Sequence, residues 1–310
     1  MQFVVTAIVL GFVAWKLVQQ WREFRGAPLV FEPRWPIIIA SGAIVFLNYA
    51  VLIETLRRIL IAWGGMDARD PRLSFLTVAR LWSISNLGRY LPGKVWGIGA
   101  MAGMAQQAGV GGVAAAGSAV LNTIVNIGTG LVVALVASWS SFDRVAHMNR
   151  GVIVAIGALG VAGLLMLPAL FPRVIDVVRR VTGRQLTVSA IPHRVVYIAL
   201  AGNLVSWLMN GVAFMMFVAG VIGTAKGSLS DYVATWAWSY VVGYLVIFAP
   251  GGIGVRDGLL AASLPALGMA TPQQALLISV SSRLWLTVLE LLPGLYFLAS
   301  GALPRSKATH

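Results

Sequence analysis

The 310-residue chain contains no cysteine, which excludes disulfides and thiolate-based metal or redox chemistry. Histidine is almost as scarce: His147, His193 and His310 stand too far apart for a histidine metal cluster. Charge is the third shortage, at 11% of residues against roughly 25% in a soluble globular domain. Set beside 58% hydrophobic residues, that deficit excludes a water-soluble fold. Acidic residues are the rarer sign, 10 against 23 Lys and Arg, for a net charge of +13. In an apolar chain such an excess marks cytoplasmic loops and contact with anionic lipid, so nucleic acid is not an expected partner. Long polar stretches are missing too, and no soluble domain is expected beside the membrane part. Residues 1–15 are apolar and are followed by Lys16, Arg22 and Arg25. This reverses the charge order of a secretory signal and lacks a small-residue cleavage site, so the segment reads as a span.

What the chain does contain is a series of apolar runs. A membrane-crossing helix needs about 20 such residues, and six stretches qualify, at about 2–19, 35–60, 112–139, 151–171, 195–222 and 274–300. Two further apolar stretches are broken in the middle. The first, about 74–108, is interrupted at Tyr90-Leu91-Pro92-Gly93-Lys94, and the second, about 231–267, at Phe248-Ala249-Pro250-Gly251-Gly252-Ile253-Gly254. Proline removes a helical donor, and the adjacent glycine lets the chain reverse. The halves are too short to span comfortably, which suits re-entrant helical hairpins, with full pairs of spans as the alternative that leaves the orientation unchanged. The fold class is therefore an all-α polytopic membrane protein forming one domain over residues 1–310.

Charge placement orients it. With both termini cytoplasmic, eleven Lys and Arg fall inside, six outside and six within membrane segments, completing the 23. The cell's inner membrane is the expected location. The stretches also pair: about 35–139 and about 195–300 each hold a span, a broken stretch and a second span, in opposite orientation. Inverted repeats with interrupted helices are a transporter architecture whose site lies between the repeats near the midplane.

Charges inside hydrocarbon are costly, about 2.5–3.5 kcal/mol each on insertion scales, and so mark candidate functional positions. Arg80, Arg89 and Lys94, with Tyr90, surround the first break; Arg256 and Asp257 follow the second; Arg283 and Glu290 share a face of the last span. Most are positive. Half-helices beginning at Gly93 or Gly252 would add unpaired N–H groups and a positive dipole end at the hairpin tips, formed by Pro92, Gly93, Pro250, Gly251 and Gly252. Arg89, Tyr90, Lys94, Arg256 and Arg283 are accordingly the expected headgroup-binding residues. Asp257, Glu290, Asn122 and Asn126 are the expected gating or proton-coupling positions. Plainer roles compete at each. Arg256 and Asp257 can pair or cap a helix, Arg283 and Glu290 can form an internal ion pair, and Asn122 and Asn126 can hydrogen-bond between helices. Glu54 with Arg57 and Arg58 reads as a structural cluster at a span end. Trp15, Trp21, Trp35 and Trp63 read as interface anchors. The glycines at 97, 99, 103, 109, 111, 112 and 117 read as helix-packing positions. No nucleophile elbow, zinc-protease motif or phosphate loop is present, and no cofactor is expected.

The segment Asn86-Leu87-Gly88-Arg89-Tyr90-Leu91-Pro92-Gly93-Lys94-Val95-Trp96-Gly97, joined to Phe248–Gly258, resembles the flippase-like family named for the transmembrane region of lysylphosphatidylglycerol synthase. Arg283 and Pro293-Gly294 resemble its final-span pattern, and the likeness covers about 35–300. It implies a lipid translocase fold acting on phospholipids or polyisoprenyl-linked lipids. Two positions depart from the pattern: Asn122 or Asn126 stands where relatives often carry an acid, and Asp257 where they often carry Glu. The first departure weighs against proton coupling at that span. No counterpart of the synthase's aminoacyl-transferase domain occurs in these residues, so lipid aminoacylation is not expected. The expected function is thus a lipid flippase or scramblase rather than an enzyme. The rivals are a membrane-embedded transferase or phosphatase acting on a lipid-linked substrate, and an accessory subunit of a glycosyltransferase. Expected partners are membrane lipids, with a second copy of the chain or a lipid-modifying enzyme as further candidates.

Overall fold

In hydrocarbon a chain satisfies its backbone by staying helical, and the described residues do so wherever the sequence allows. The computed structural model describes residues 33–88, 95–140, 150–167, 169, 173, 192–246, 252 and 254–300. The candidate span at about 2–19 and the tip residues Arg89, Tyr90, Pro92, Gly93, Lys94, Pro250 and Gly251 lie outside that set. The described helices are α1 (Trp35–Gly64), α2 (Phe75–Leu87), α3 (Val95–Gln107), α4 (Gly112–Ala137), α5 (Arg150–Leu165), α6 (His193–Ile222), α7 (Leu229–Leu245), α8 (Val255–Ala266) and α9 (Pro272–Ala299). Four of them, α1, α4, α6 and α9, are long and apolar enough to cross a membrane. They match the expected spans 35–60, 112–139, 195–222 and 274–300 to within a few residues. The expected span 151–171 appears as α5, whose 16 residues cover about 24 Å.

Local signals explain where these helices begin and end. Pro36 sits in the first turn of α1, where its missing N–H costs nothing, and Gly65 closes the helix in the left-handed region at φ 64°. Ser228 and Asp231 form a reciprocal cap at the start of α7, as Thr271 and Gln274 do for α9. The expected breaks fall where helices stop. One lies between α2 and α3, each 13 residues or about 20 Å, and the other between α7 and α8, of 17 and 12 residues. None of these four matches a bilayer's roughly 30 Å hydrocarbon thickness alone.

The packing has an internal correspondence. Within the first group α1 packs on α2 and α4, α2 on α3, and α3 on α4. Within the second, α6 packs on α7 and α9, α7 on α8, and α8 on α9. Across the groups α1 lies along α6, α2 meets α9 as α7 meets α4, and α4 meets α6 as α9 meets α1. Exchanging α1–α4 with α6–α9 therefore maps this set of packed pairs onto itself, with α5 as an addition on α4. The central pair is antiparallel: the Arg34 N–H donates to the Gly220 carbonyl at 2.8 Å at one end, while Gly202 faces Thr55 near the other.

Small residues make that seam close. A side chain at Gly202 would overlap Thr55, one at Gly220 would meet Ile38, and one at Gly211 would overlap Val233 of α7. Two expectations are corrected here. Trp63 is no interface anchor, being buried against Gly117, whose lack of a side chain makes room for the indole ring. Of the glycines read as packing positions, Gly97 and Gly117 serve that role, whereas Gly99, Gly103 and Gly111 have nothing within 4 Å of an added Cβ. The expected cluster of Glu54 with Arg57 and Arg58 is present, at 3.4 and 2.8 Å. Arg57 also donates to the carbonyls of Leu73 and Ala68, tying down the connection from α1 to α2. Gly202→Leu is expected to destabilise the protein by roughly 1–3 kcal/mol through overpacking. Gly99→Ala should leave stability unchanged or slightly higher, because alanine is the better helix former. Thermal unfolding in detergent, followed by circular dichroism, separates the two.

Candidate functional site

The correspondence between the two groups leaves a cavity of about 180 Å³ where they face each other. The first group supplies Asn86, Gly97, Asn122 and Asn126 to its wall, and the second Tyr240, Tyr244, Gly252, Arg256, Arg283, Thr287 and Glu290. Both broken stretches and both flanking long helices thus reach one space. Residues from three separate sequence regions named as candidates converge here: the asparagines of α4, Gly252 and Arg256 at the second break, and Arg283 with Glu290 of α9.

Gly252 shows why the second break needs glycine. Its φ of +69° disfavours other residues, and a Cβ would press on the Gly243 backbone at 3.1–3.2 Å. On the α7 side, a Cβ on Gly243 would stand 3.0 Å from the Cβ of Arg256. The two glycines let the start of α8 lie directly on α7. Arg256, second residue of α8, is thereby pushed inward to 4% exposure. Its guanidinium carbon lies 4.2 Å from the centroid of the Trp236 ring, a cation–π contact, and Trp236 is backed by Phe214 at 4.8 Å between ring centroids. Its Nε and Nη2 are buried and make no hydrogen bond with any described residue. Arg283, Asp257, Glu290 and Tyr240 all lie within electrostatic range of it.

Asp257 works differently from its neighbour. Its Oδ2 accepts the Gly254 N–H at 3.0 Å, closing the start of α8, and accepts from Arg283 Nη2 at 3.3 Å. Arg283 Nε stands 3.2 Å from Oδ1, and Ser279 donates to the Asp257 carbonyl at 2.7 Å. Of the plainer roles weighed for Asp257, the helix cap is realised. Its ion-pair partner is Arg283 across the α8–α9 interface. The helical-face argument that joined Arg283 to Glu290 did not anticipate this contact, because it compares residues of one helix only.

Asn122 and Asn126 do bridge helices. Asn126 Nδ2 donates to Asn203 Oδ1 at 2.8 Å, and Asn203 Nδ2 donates to Asn122 Oδ1 at 3.3 Å. Trp207 extends the network, donating to the Asn126 carbonyl at 3.1 Å and to Thr129 at 3.2 Å. The sequence by itself gives Asn203 and Trp207 no role, although two amides in the apolar run 193–222, Asn203 and Asn210, were the available signal. The aromatic row Trp236, Tyr240 and Tyr244, at four-residue spacing on α7, was likewise legible and missed. Arg80 contributes nothing to the cavity wall.

Comparison of the chain with protein-family models and with curated proteins finds no match.

The Asp257–Arg283 pair has a definite energetic consequence. Breaking a buried pair from one side strands the other charge, a loss of about 3–5 kcal/mol, whereas removing both often costs little. Asp257→Asn and Arg283→Met should each lower the unfolding midpoint strongly. The double variant should recover much of the loss, and a double-mutant cycle in detergent-solubilised protein reads the coupling.

Proposed function

We propose that the protein is a lipid translocase of the flippase or scramblase type, with the headgroup held in the cavity between the two helix groups. The observation that carries this reading is Arg256, a buried guanidinium on the wall of a cavity lined by both groups, whose Nε and Nη2 have no hydrogen-bond partner among the described residues. An unpaired cation in an apolar interior is costly, and an anionic group arriving with the lipid offsets that cost. The antiparallel central pair and the exchangeable packing support inverted repeats, in which rocking of one group against the other exposes a shared site to each leaflet in turn. On this reading the two broken stretches are re-entrant, six spans surround them, and both termini are cytoplasmic in an inner membrane. Arg89, Tyr90 and Lys94 would approach the headgroup from the first break, and Arg283 from the last span. The resemblance to the flippase-like family of the lysylphosphatidylglycerol synthase transmembrane region points the same way.

Reconstitution tests it. Proteoliposomes carrying fluorescent phospholipid should lose signal to an external quencher well beyond the half reached in protein-free vesicles. Arg256→Ala should slow exchange at least about tenfold, the worth of one charge-assisted hydrogen bond or more. Arg58→Ala, on an exposed face of α1, should leave it unchanged. Rates equal to empty vesicles for every lipid class would overturn the proposal.

A further inference from the structure

Building on that reading of the cavity, its hydrogen-bonding inventory narrows the headgroup. Four uncharged groups on the wall carry unused capacity. Asn122 spends only its carbonyl oxygen on Asn203, leaving its amide N–H groups, and Asn126 spends only its amide nitrogen, leaving its oxygen. The hydroxyls of Tyr240 and Thr287 make no hydrogen bond with any described residue, although Thr287 is 4% exposed. These are mixed donors and acceptors, one pair on α4 and the other on α7 and α9, lining the same cavity as Arg256. A hydroxyl is the ligand group that both donates and accepts, so a row of hydroxyls satisfies such a wall without importing charge. Tyr240 and Tyr244 stack nearly parallel, at 14° between rings with centroids 6.5 Å apart, and give the wall a flat apolar face suited to C–H groups.

An ammonium-bearing headgroup fits less well. The two nearby carboxylates are already engaged, Asp257 with Gly254 and Arg283, and Glu290 with interactions of its own. Arg256 and Arg283 would both repel an added cation. The geometry points to a phosphate ester whose other substituent is an uncharged polyol, glycerol or a sugar, with the phosphate on the Arg256 guanidinium and the hydroxyls on Asn122, Asn126, Tyr240 and Thr287. The same chemistry occurs as a lipid headgroup or as a free polyol phosphate, and the assays below tell these sources apart.

Two measurements on the full-length chain test it. In proteoliposomes, fluorescent phosphatidylglycerol should cross at least tenfold faster than fluorescent phosphatidylethanolamine. The double variant Tyr240→Phe/Thr287→Val, which keeps both shapes, should cut that ratio below threefold. In detergent, glycerol 1-phosphate should raise the unfolding temperature more than phosphoethanolamine or inorganic phosphate, with Arg256→Gln abolishing the shift. Equal or faster passage of phosphatidylethanolamine, with no preference for glycerol 1-phosphate, overturns the polyol assignment and leaves translocation standing. Selective stabilisation by glycerol 1-phosphate without movement of any lipid supports the polyol site with a free ligand and overturns the translocase reading. A selectivity ratio unchanged in the double variant also overturns the assignment.

Discussion

Hydrocarbon offers no hydrogen bonds, and every break in a helix must answer for the donors and acceptors it releases. In this protein much of the answer at the second break comes from one carboxylate. Asp257 closes the backbone at Gly254, holds Arg283 of the last long helix, and does both from the first turn of α8. Because one side chain serves both ends, the position of α8 and the position of α9 are coupled. That coupling leaves Arg256, one residue earlier, on the other side of the helix start, where it is buried without such a partner. Two adjacent charges thus differ: Asp257 is engaged on both sides, and Arg256 keeps two donors without a hydrogen-bond partner among the described residues.

The glycines act at the same level of cause. Gly243 and Gly252 bring α7 and α8 together where Arg256 turns inward, and Gly202, Gly211 and Gly220 draw α6 against α1 and α7. Without a hydrophobic driving force between helices in lipid, close contact and interhelical hydrogen bonds provide the cohesion. The Asn122–Asn203–Asn126 bridge is the polar counterpart of those glycine contacts. It holds α4 to α6 on one side of the cavity and still shows the cavity half of each α4 amide.

Much of the architecture could be read in advance. The four long helices were visible as uninterrupted apolar runs, and the breaks as Pro-Gly pairs, because both follow from backbone chemistry local to a few residues. Arg256, Arg283 and Glu290 were legible as candidates because charge in an apolar run is conspicuous. Their partners were less so. Asp257 could be assigned to Arg256, its neighbour in the chain, only as long as distance along the chain stood for distance in space. Trp63 looked like an anchor because an indole near a span end commonly is one, yet Gly117, more than fifty residues later, opens a buried place for it.

The shortage of charge and the long apolar runs were therefore informative by themselves: they pointed to lipid as the solvent, the helix as the repeating element and the arginines as the residues to explain. Tertiary structure alone decided which of those charges is paired and which is not. The reason is that pairing in a membrane interior depends on distances across helix interfaces, and these are set by where small residues let two backbones approach. In the same way the polar wall beside Arg256 exists only once α4, α7 and α9 are packed around one space, for the asparagine pair, Tyr240 and Thr287 come from three stretches far apart in the chain.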